Sequence, residues 1–397
     1  MKAAFFTVLL FIFTFQVSNA QWVQTSNGLG DVIIFSLTNN GDKLFAGTYA
    51  NGLYSSTNNG VDWTPSFLNE VCYSLAVNGN NIFAGTVNHG VFLSTNNGLN
   101  WIQTSLNNRT IGAFAISGNN IFAGARNGDA GVLLSTDNGT SWTQTSLVNK
   151  IIYSLTISGS NIFAGAYDTG VYLSTNSGVN WIQTSLNNRR IYSTANIGDN
   201  IFAGTASGGV YRSTDNGINW NQTSLNSSNG FSLIVYGNNV YAGMGFATGV
   251  NVSTDYGISW EQRNEGLGNF FIYAFSILNN NIFVGTGGMS IYRRPLSELT
   301  NINSVSNEIP NAFSLSQNYP NPFNPETKIS FSVPGTQNVS IRVYDELGKE
   351  VDILVNEQLE AGTYEAVWSA DKFPSGIYYY KMTAGNFSKT TKMILLK

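Results

Sequence analysis

Residues 81–101, NIFAGTVNHGVFLSTNNGLNW, hold two phrases that recur along this chain. The first phrase ends in Phe-Ala-Gly or a close variant, and its glycine returns at intervals of 38 to 42 residues. The seven copies place that glycine at Gly47, Gly85, Gly124, Gly165, Gly204, Gly243 and Gly285. A fixed period near 40 residues is typical of a repeat architecture.

The second phrase is an octet of the form Ser-Thr-(Asn/Asp)-x-Gly-x-x-Trp. Its six copies end at Trp63, Trp101, Trp142, Trp181, Trp220 and Trp260. A typical repeat also contains four short runs rich in β-branched and aromatic residues, such as IYSLTI, NIFAGA, GVYLS and WIQTS. Four strands at this period predict the blade of a β-propeller. A β-helix is disfavoured because its coils are much shorter, and a leucine-rich repeat because its leucine ladder is absent.

The two ends of the repeat array predict how the ring closes. Seven Phe-Ala-Gly copies require seven Trp strands, but the last repeat stops after Ile291–Arg294. The missing strand is found at the start of the array, where QWVQTS at residues 21–26 copies WIQTS. We therefore expect an all-β, seven-bladed propeller over residues 21–295. Its N-terminal strand, with Trp22 beside Ile291, completes the last blade and removes the open sheet edges.

Composition limits the available chemistry. Of 397 residues only 11% are charged, and 19 basic against 23 acidic residues give a net charge of −4. Without a basic block, nucleic acid is not an expected partner. The single cysteine, Cys72, excludes an intramolecular disulfide and is expected to be buried. The single histidine, His89, is expected in a solvated turn without an evident partner. We expect a monomer with no cofactor and no metal.

Residues 1–20 have the pattern of a secretory signal peptide. Lys2 precedes an apolar run from Ala3 to Phe15, and Ser18-Asn19-Ala20 forms a small-x-small cleavage site before Gln21. The apolar run is shorter than the roughly 20 residues that a membrane-spanning helix needs, and no second run of that length follows. We expect a mature chain that starts at Gln21, has no transmembrane segment and lies outside the cytoplasmic membrane.

The octets resemble the Asp box of sialidase-like (BNR-repeat) propellers, a hairpin loop between the third and fourth strands of a blade. In such a loop the third residue accepts backbone N–H bonds, and the glycine adopts a positive φ. The third position is occupied by Asn58, Asn96, Asp137, Asn176, Asp215 and Asp255. Because asparagine caps a turn as aspartate does, this mixture favours a structural role over catalysis or metal binding.

Loops of an antiparallel blade alternate between the two faces of the disc. The octets and the loops between first and second strands are near-copies and should share one face, here called the repeated-loop face. The remaining loops differ from blade to blade and should share the varied-loop face, where ligand binding is expected. Its candidate binding residues are Asp31, Glu70, His89, Arg109, Arg126, Asp129, Lys150, Asp168, Arg189 and Arg190, with Tyr49, Tyr167 and Phe246 beside them.

Three functions remain open on these residues. The first is a non-catalytic propeller that binds a glycan or a protein. The second is a sialidase-like glycoside hydrolase. The resemblance implies three arginines on the substrate carboxylate with a Tyr/Glu pair and an Asp, for which Arg109, Arg126 and Arg189 are the arginine candidates. A glycosidase of the general type would instead need two facing carboxylates about 5–10 Å apart. The carboxylate candidates are Asp31, Glu70, Asp129 and Asp168. The third is a structural adhesin or matrix component. The loops are short and the Arg-Ile-Pro motif of sialidases is not found before the first octet, so we expect no catalytic residue.

The composition changes after about residue 296. Residues 21–300 contain two lysines, whereas residues 301–397 contain seven. We expect a linker over residues 296–313 and a small immunoglobulin-like β-sandwich over residues 314–397, built from alternating runs such as KISFSV and GIYYYKMTAG.

The sequence LSQNYPNPFNP at residues 315–325, followed by TKISF at 327–331, closely resembles the start of type A sorting domains of the type IX secretion system. Segments at 343–351, 361–364, 374–378 and 392–397 match that family as well. The resemblance implies that the type IX machinery is a partner of residues 314–397. It also implies that the protein is secreted or attached to the outer membrane at the cell surface.

Overall fold

The structure is a computed structural model, which describes residues 21–66, 68–127, 130–299, 302–306, 308–371 and 373–397. The predicted signal peptide, residues 1–20, and the candidate Asp129 lie outside the described residues. Across the described ranges the strands form nine four-stranded antiparallel sheets, seven in the propeller and two in the C-terminal sandwich.

Each of the first six blades is one continuous run of four strands, and an N-terminal strand, β1 (Val23–Gln24), precedes them. Blade 1 contains β2 (Ile34–Asn40), β3 (Lys43–Thr48), β4 (Leu53–Ser56) and β5 (Thr64–Pro65). Blade 2 contains β6 (Cys72–Asn78), β7 (Asn81–Thr86), β8 (Val91–Ser94) and β9 (Ile102–Gln103). Blade 3 contains β10 (Ile111–Ser117), β11 (Asn120–Ala125), β12 (Gly131–Ser135) and β13 (Thr143–Val148).

The same pattern continues around the ring. Blade 4 contains β14 (Ile152–Ser158), β15 (Asn161–Ala166), β16 (Gly170–Ser174) and β17 (Ile182–Gln183). Blade 5 contains β18 (Ile191–Ile197), β19 (Asn200–Thr205), β20 (Gly209–Ser213) and β21 (Asn221–Gln222). Blade 6 contains β22 (Gly230–Tyr236), β23 (Asn239–Met244), β24 (Val250–Ser253) and β25 (Glu261–Gln262). Blade 7 contains β26 (Ile272–Leu278), β27 (Asn281–Thr286) and β28 (Ile291–Pro295).

The N-terminal strand closes the ring, which confirms the prediction. β1 pairs antiparallel with β28, so the sheet order of blade 7 is β1-β28-β27-β26. Val23 stands opposite Arg293, and the residue that bonds Ile291 is Thr25, not Trp22. Trp22 lies three residues away from the expected register because its indole is buried against blade 6, where Nε1 donates to the Arg263 carbonyl at 2.7 Å.

The octets lock each blade to the preceding one. At Gly217 φ is +82°, and a Cβ there would lie 2.2 Å from the ring of Phe163, which belongs to the Phe-Ala-Gly phrase of the previous blade. The other five octet glycines meet the corresponding phenylalanine in the same way. Both recurring phrases therefore serve one contact, which explains why they recur together.

The octets share a set of internal hydrogen bonds. The Ser213 hydroxyl accepts the N–H of Gly217 at 2.9 Å and donates to Asp215, whose Oδ1 also accepts the N–H of Asn219 at 2.9 Å. The bond from the seventh residue to the third recurs in the other five octets. These donors hold the pKa of Asp215 down at about 2, the Asn219 N–H having the largest effect. The pKa of Asp137 is likewise lowered to about 2, mainly by the Ser141 hydroxyl.

The C-terminal residues form a β-sandwich, as predicted. One sheet has the order β29-β34-β31-β30 and the other β33-β32-β35-β36. The strands are β29 (Ile302–Ser306), β30 (Ser314–Leu315), β31 (Glu326–Val333), β32 (Gln337–Asp345), β33 (Glu350–Leu359), β34 (Gly362–Ser369), β35 (Gly376–Ala384) and β36 (Phe387–Leu395). Part of the expected linker is thus ordered: β29 pairs with β34, and Leu296 and Leu299 of a 3-10 turn pack on blades 6 and 7.

The Asn-Pro-rich stretch of the sandwich is tied to its core. Phe323 is buried beside Trp368, with ring centroids 5.5 Å apart. The amide of Asn318 donates to the hydroxyl of Thr327 at 2.9 Å. The side chain of Asn321 accepts the N–H of Ile394, in the last strand, at 2.9 Å. This stretch therefore connects the beginning of the sandwich to its last strand through hydrogen bonds and core packing.

Candidate ligand site at the channel mouth

The innermost strands β2, β6, β10, β14, β18, β22 and β26 surround a central channel. The second residue of the innermost strand is aromatic in six of the seven blades. These half-buried residues, called here the aromatic collar, are Phe35, Tyr73, Tyr153, Tyr192, Phe231 and Tyr273. Within the collar, ring centroids of neighbours lie 4.7 to 6.0 Å apart. The collar lies at the end of the channel where the varied loops are placed.

Blade 3 breaks the collar. Its innermost strand has Gly112 at the second position, and the side chain of Arg126 fills the gap. The guanidinium carbon lies 4.0 Å from the ring centroid of Tyr153 and 4.8 Å from that of Tyr73. A Cβ at Gly112 would lie 1.9 Å from Arg126 Nε, so only glycine leaves room for this arrangement. Cation–π contacts on both sides stabilise the guanidinium between the two rings.

The charge of Arg126 lacks a counter-ion among the described residues, since no carboxylate there lies within ion-pair distance of it. Its Nε is buried without a hydrogen-bond partner, and one terminal nitrogen lies 3.5 Å from the Gly112 carbonyl. Burial lowers the pKa of Arg126, while Tyr153 and Tyr73 act in the opposite direction. Arginine nevertheless remains charged at neutral pH.

A second arginine and several exposed rings widen the mouth above the collar. The guanidinium carbon of Arg190 lies 3.8 Å from the centroid of Tyr167, and one of its nitrogens is 3.4 Å from the Tyr192 hydroxyl. Tyr49 (54% exposed) lies edge-on to Phe35, with centroids 5.8 Å apart. On blade 6, Phe246 (64% exposed) contacts Phe271, which lies beside the collar. Aromatic surface therefore runs from the rim into the channel.

The channel contains a cavity of about 360 Å³. Below the collar its wall is formed by small residues such as Ser74 and Ala113, then by a mainly apolar level that includes Leu37, Leu155 and Phe275. No aspartate or glutamate is among the described residues that line it.

The other candidate residues are spread over the varied-loop face. The carboxylate of Glu70 lies 2.7 Å from Nδ1 of His89, which therefore has a partner that the sequence did not indicate. Lys150 and Arg189 each lie 5.8 Å from a tyrosine of a third strand, Tyr172 and Tyr211 respectively, away from the collar. The remaining candidates are Arg109, which is half-buried, and Asp31 and Asp168, which are exposed.

The collar itself was missed by the sequence reasoning, although a signal for it exists. Aligning the repeats on Phe-Ala-Gly places an aromatic residue at the same position of IFSL, CYSL, IYSL, IYST, GFSL and IYAF. Within one repeat this position looks like any other aromatic residue of a strand. Only the closed ring brings these side chains around one axis, and only there does Gly112 become conspicuous.

Within the described ranges, no helix is both long and apolar enough to span a membrane. No group of three or more histidine, cysteine, aspartate or glutamate side chains is gathered in a metal-binding arrangement there. Cys72 is buried, as expected, and burial raises the pKa of its thiol to about 12.

Comparison with known proteins identifies the C-terminal domain. A family model described as the secretion system C-terminal sorting domain matches residues 317–396. No curated protein matches the sequence. The chain thus carries a type IX sorting domain and is a secretion cargo with a β-propeller, destined for secretion or the cell surface.

Solved structures with similar folds share little sequence with the chain. PorZ of Porphyromonas gingivalis, a surface component of the type IX secretion system, is 16% identical with a TM-score of 0.57. The match covers 94% of this chain and 60% of PorZ, so the chain spans less than two thirds of that protein. YCF48 from Cyanidioschyzon merolae is 14% identical (TM-score 0.54), with 69% of this chain and 98% of YCF48 covered. A GH74 enzyme from Niastella koreensis is 17% identical (TM-score 0.53), with 67% and 43% covered.

Proposed function

We propose that this secretion cargo is a non-catalytic binding protein whose propeller holds an extracellular glycan or protein at the channel mouth. The channel mouth comprises the aromatic collar, Arg126, Arg190, Tyr167 and the rim residues Tyr49 and Phe246. The observation that carries the proposal is the composition of this surface: many aromatic rings and two arginines, with no carboxylate among the described residues that line the cavity. Aromatic and arginine side chains dominate the energetics of recognition surfaces.

The position of the sandwich supports use of the varied-loop face. The Asn356 amide of the sandwich lies 2.6 Å from the hydroxyl of Tyr256, in the octet of blade 6. The sorting domain therefore contacts the repeated-loop face and leaves the channel mouth uncovered.

A glycoside hydrolase is the second candidate, because the fold is similar to that of a GH74 enzyme. The described carboxylates support it less well. Glu70 is engaged by His89, and neither Asp31 nor Asp168 lines the cavity. Turnover of sialosides or β-glucans that is abolished by Asp168→Asn or Asp129→Asn would replace the binding proposal with this one.

The experiment for binding presents glycan and protein arrays to the full secreted protein. We expect at least one saturable ligand whose binding is lost in the double variant Tyr167→Ala/Arg190→Gln. Arg212→Gln is the matched control, because Arg212 bonds Asn200 near the repeated-loop face. Binding that survives the double variant would remove the channel mouth from the proposal. An absence of saturable binding would favour the structural adhesin.

We further propose that the octets are Asp boxes with a structural role, and that residues 21–295, 296–313 and 314–397 are propeller, connection and sorting domain. Deleting residues 314–397 should leave the propeller in the periplasm. A finer test replaces the buried Phe323 with alanine and measures the same retention in the periplasm. We expect Phe323→Ala to be retained and the control Leu347→Ala (89% exposed) to be released normally. Normal release of the deletion variant would contradict the export assignment.

A further inference from the structure

We propose that the channel mouth binds a small organic acid, whose carboxylate is held by the edge of the Arg126 guanidinium and whose apolar body lies within the aromatic collar. This inference goes beyond the proposed function, because a small acid within the channel is neither a glycan nor a protein, although it would occupy part of the same surface.

The geometry of Arg126 leaves one direction for a ligand. Tyr153 and Tyr73 lie against the guanidinium, at 4.0 and 4.8 Å from its carbon. A guanidinium that stacks on rings keeps its in-plane N–H donors free. Those donors match the two oxygens of a carboxylate in a bidentate pair. Nε is buried against Gly112, and one terminal nitrogen lies 3.5 Å from the Gly112 carbonyl, so the remaining N–H groups of the two terminal nitrogens form the edge available to a ligand in the cavity that Arg126 lines.

The charge balance of the cavity favours an anion. A half-buried cation without a counter-ion is unfavourable in a low-dielectric site, and removing water from it raises that penalty. Arg190 adds a second positive charge nearby, above Tyr167. With no carboxylate in the described lining, a ligand carboxylate would supply the missing negative charge.

The walls of the cavity determine the size and polarity of the part of the ligand beyond its carboxylate. A cavity of about 360 Å³ lies at the lower end of the range typical of small-molecule sites. The collar presents ring faces and edges, and the level beneath it is mainly apolar, including Leu37, Leu155 and Phe275. Such walls favour a flat, apolar body over a polyhydroxylated one.

The test titrates the full secreted protein with benzoate, benzamide and glucuronate by calorimetry. We expect benzoate to bind saturably and benzamide, which has the same shape without the charge, to bind at least about tenfold more weakly, since hydrogen bonds to charged groups are the stronger ones. Glucuronate should also bind more weakly. Equal binding of benzoate and benzamide, or a preference for glucuronate, would overturn the assignment.

Two variants locate the site. Arg126→Gln should weaken benzoate binding at least about tenfold, whereas Arg212→Gln should not change it. Gly112→Ala keeps the arginine but displaces it, because the new Cβ would lie 1.9 Å from Nε, and the same loss is expected. Undiminished benzoate binding in either variant contradicts the inference. If benzoate does not bind the parent protein while array binding persists, this inference fails and the proposed function stands.

Discussion

The two faces of the propeller are built on the same seven sheets and differ in how their loops treat polar groups. On the repeated-loop face an octet such as residues 213–220 satisfies its own N–H groups and carboxylate internally. On the varied-loop face Arg126 is held mainly by two rings and by one long bond to the Gly112 carbonyl, and its Nε has no hydrogen-bond partner. The repeated-loop face uses its polar atoms to fix the shape of its own loops, whereas the varied-loop face presents a cation to the channel.

This difference separates stability from recognition within one domain. Loops that are copied six times carry the contact between an octet glycine and a phenylalanine of the preceding blade. Loops that vary surround a channel whose frame these contacts have already fixed. Substitutions on the two faces should therefore have different consequences.

The largest effect on stability is expected from Trp63→Ala. Trp63 is 3% exposed, and its Nε1 donates to the carbonyls of Thr25 and Gly60 at 2.9 Å. Loss of this buried ring should reduce the free energy of unfolding by about 4 kcal/mol. Chemical denaturation measures it, with Val61→Ala (45% exposed) as a control that should change stability by less than about 0.5 kcal/mol. A loss below about 1 kcal/mol would deny the octets their structural role.

A somewhat smaller loss, about 3 kcal/mol, is expected for Gly217→Ala, which combines left-handed backbone strain with overlap on the Phe163 ring. Gly118→Ala isolates the first contribution, because Gly118 has φ +58° and an added methyl group there would meet nothing within 4 Å. That control should lose only about 1 kcal/mol. Equal losses in the two variants, measured by chemical denaturation, would show that the contact between blades contributes nothing.

A smaller effect should appear as pH dependence. The folded pKa of Asp137 and Asp215 is about 2, below the value of about 4 in unfolded chains. Their stabilisation is therefore complete above pH 4 and lost as the pH falls toward 2. In the double variant Asp137→Asn/Asp215→Asn the denaturation midpoint should depend less on pH over this range than it does in the parent. Conversely, Asn96→Asp should make the midpoint depend more strongly on pH. An unchanged pH dependence in both variants would contradict the capping geometry.

The smallest effect on stability is expected at the rim of the varied-loop face. Tyr49→Ala should change the free energy of unfolding by less than about 0.5 kcal/mol, because the side chain is mostly exposed. If the channel mouth binds ligand, the same variant should weaken binding to any array ligand. A stability loss as large as that of Trp63→Ala would erase the distinction between the faces.

The repeats made the fold predictable. Phe-Ala-Gly, the octets and the N-terminal QWVQTS each mark a contact that recurs around the ring, so their spacing and number predicted the strands and the closed ring. The register of β1 differed from the expectation because the burial of Trp22 against Arg263 depends on the neighbouring blade.

The site was less predictable because it depends on an exception to the repeat. Arg126 was a candidate only as one charged loop residue among ten. Its importance arises from Gly112 in the adjacent strand. Gly112 lacks the aromatic side chain of the other six blades, and Arg126 takes that place between the Tyr73 and Tyr153 rings. The partnership of Glu70 and His89 joins two loops in the same way, across the fold rather than along the chain.

Ring closure by β1 also sets an order of events during biosynthesis. Gln24 bonds the carbonyl of Met289, 265 positions further along the chain. The first residues of the propeller must therefore wait unpaired until almost all of it has been translated, and such long-range pairing is slow to form. The sandwich follows immediately afterwards. A secretion apparatus that engages the C-terminal sorting domain consequently receives only chains whose closing strand already has its partner within reach.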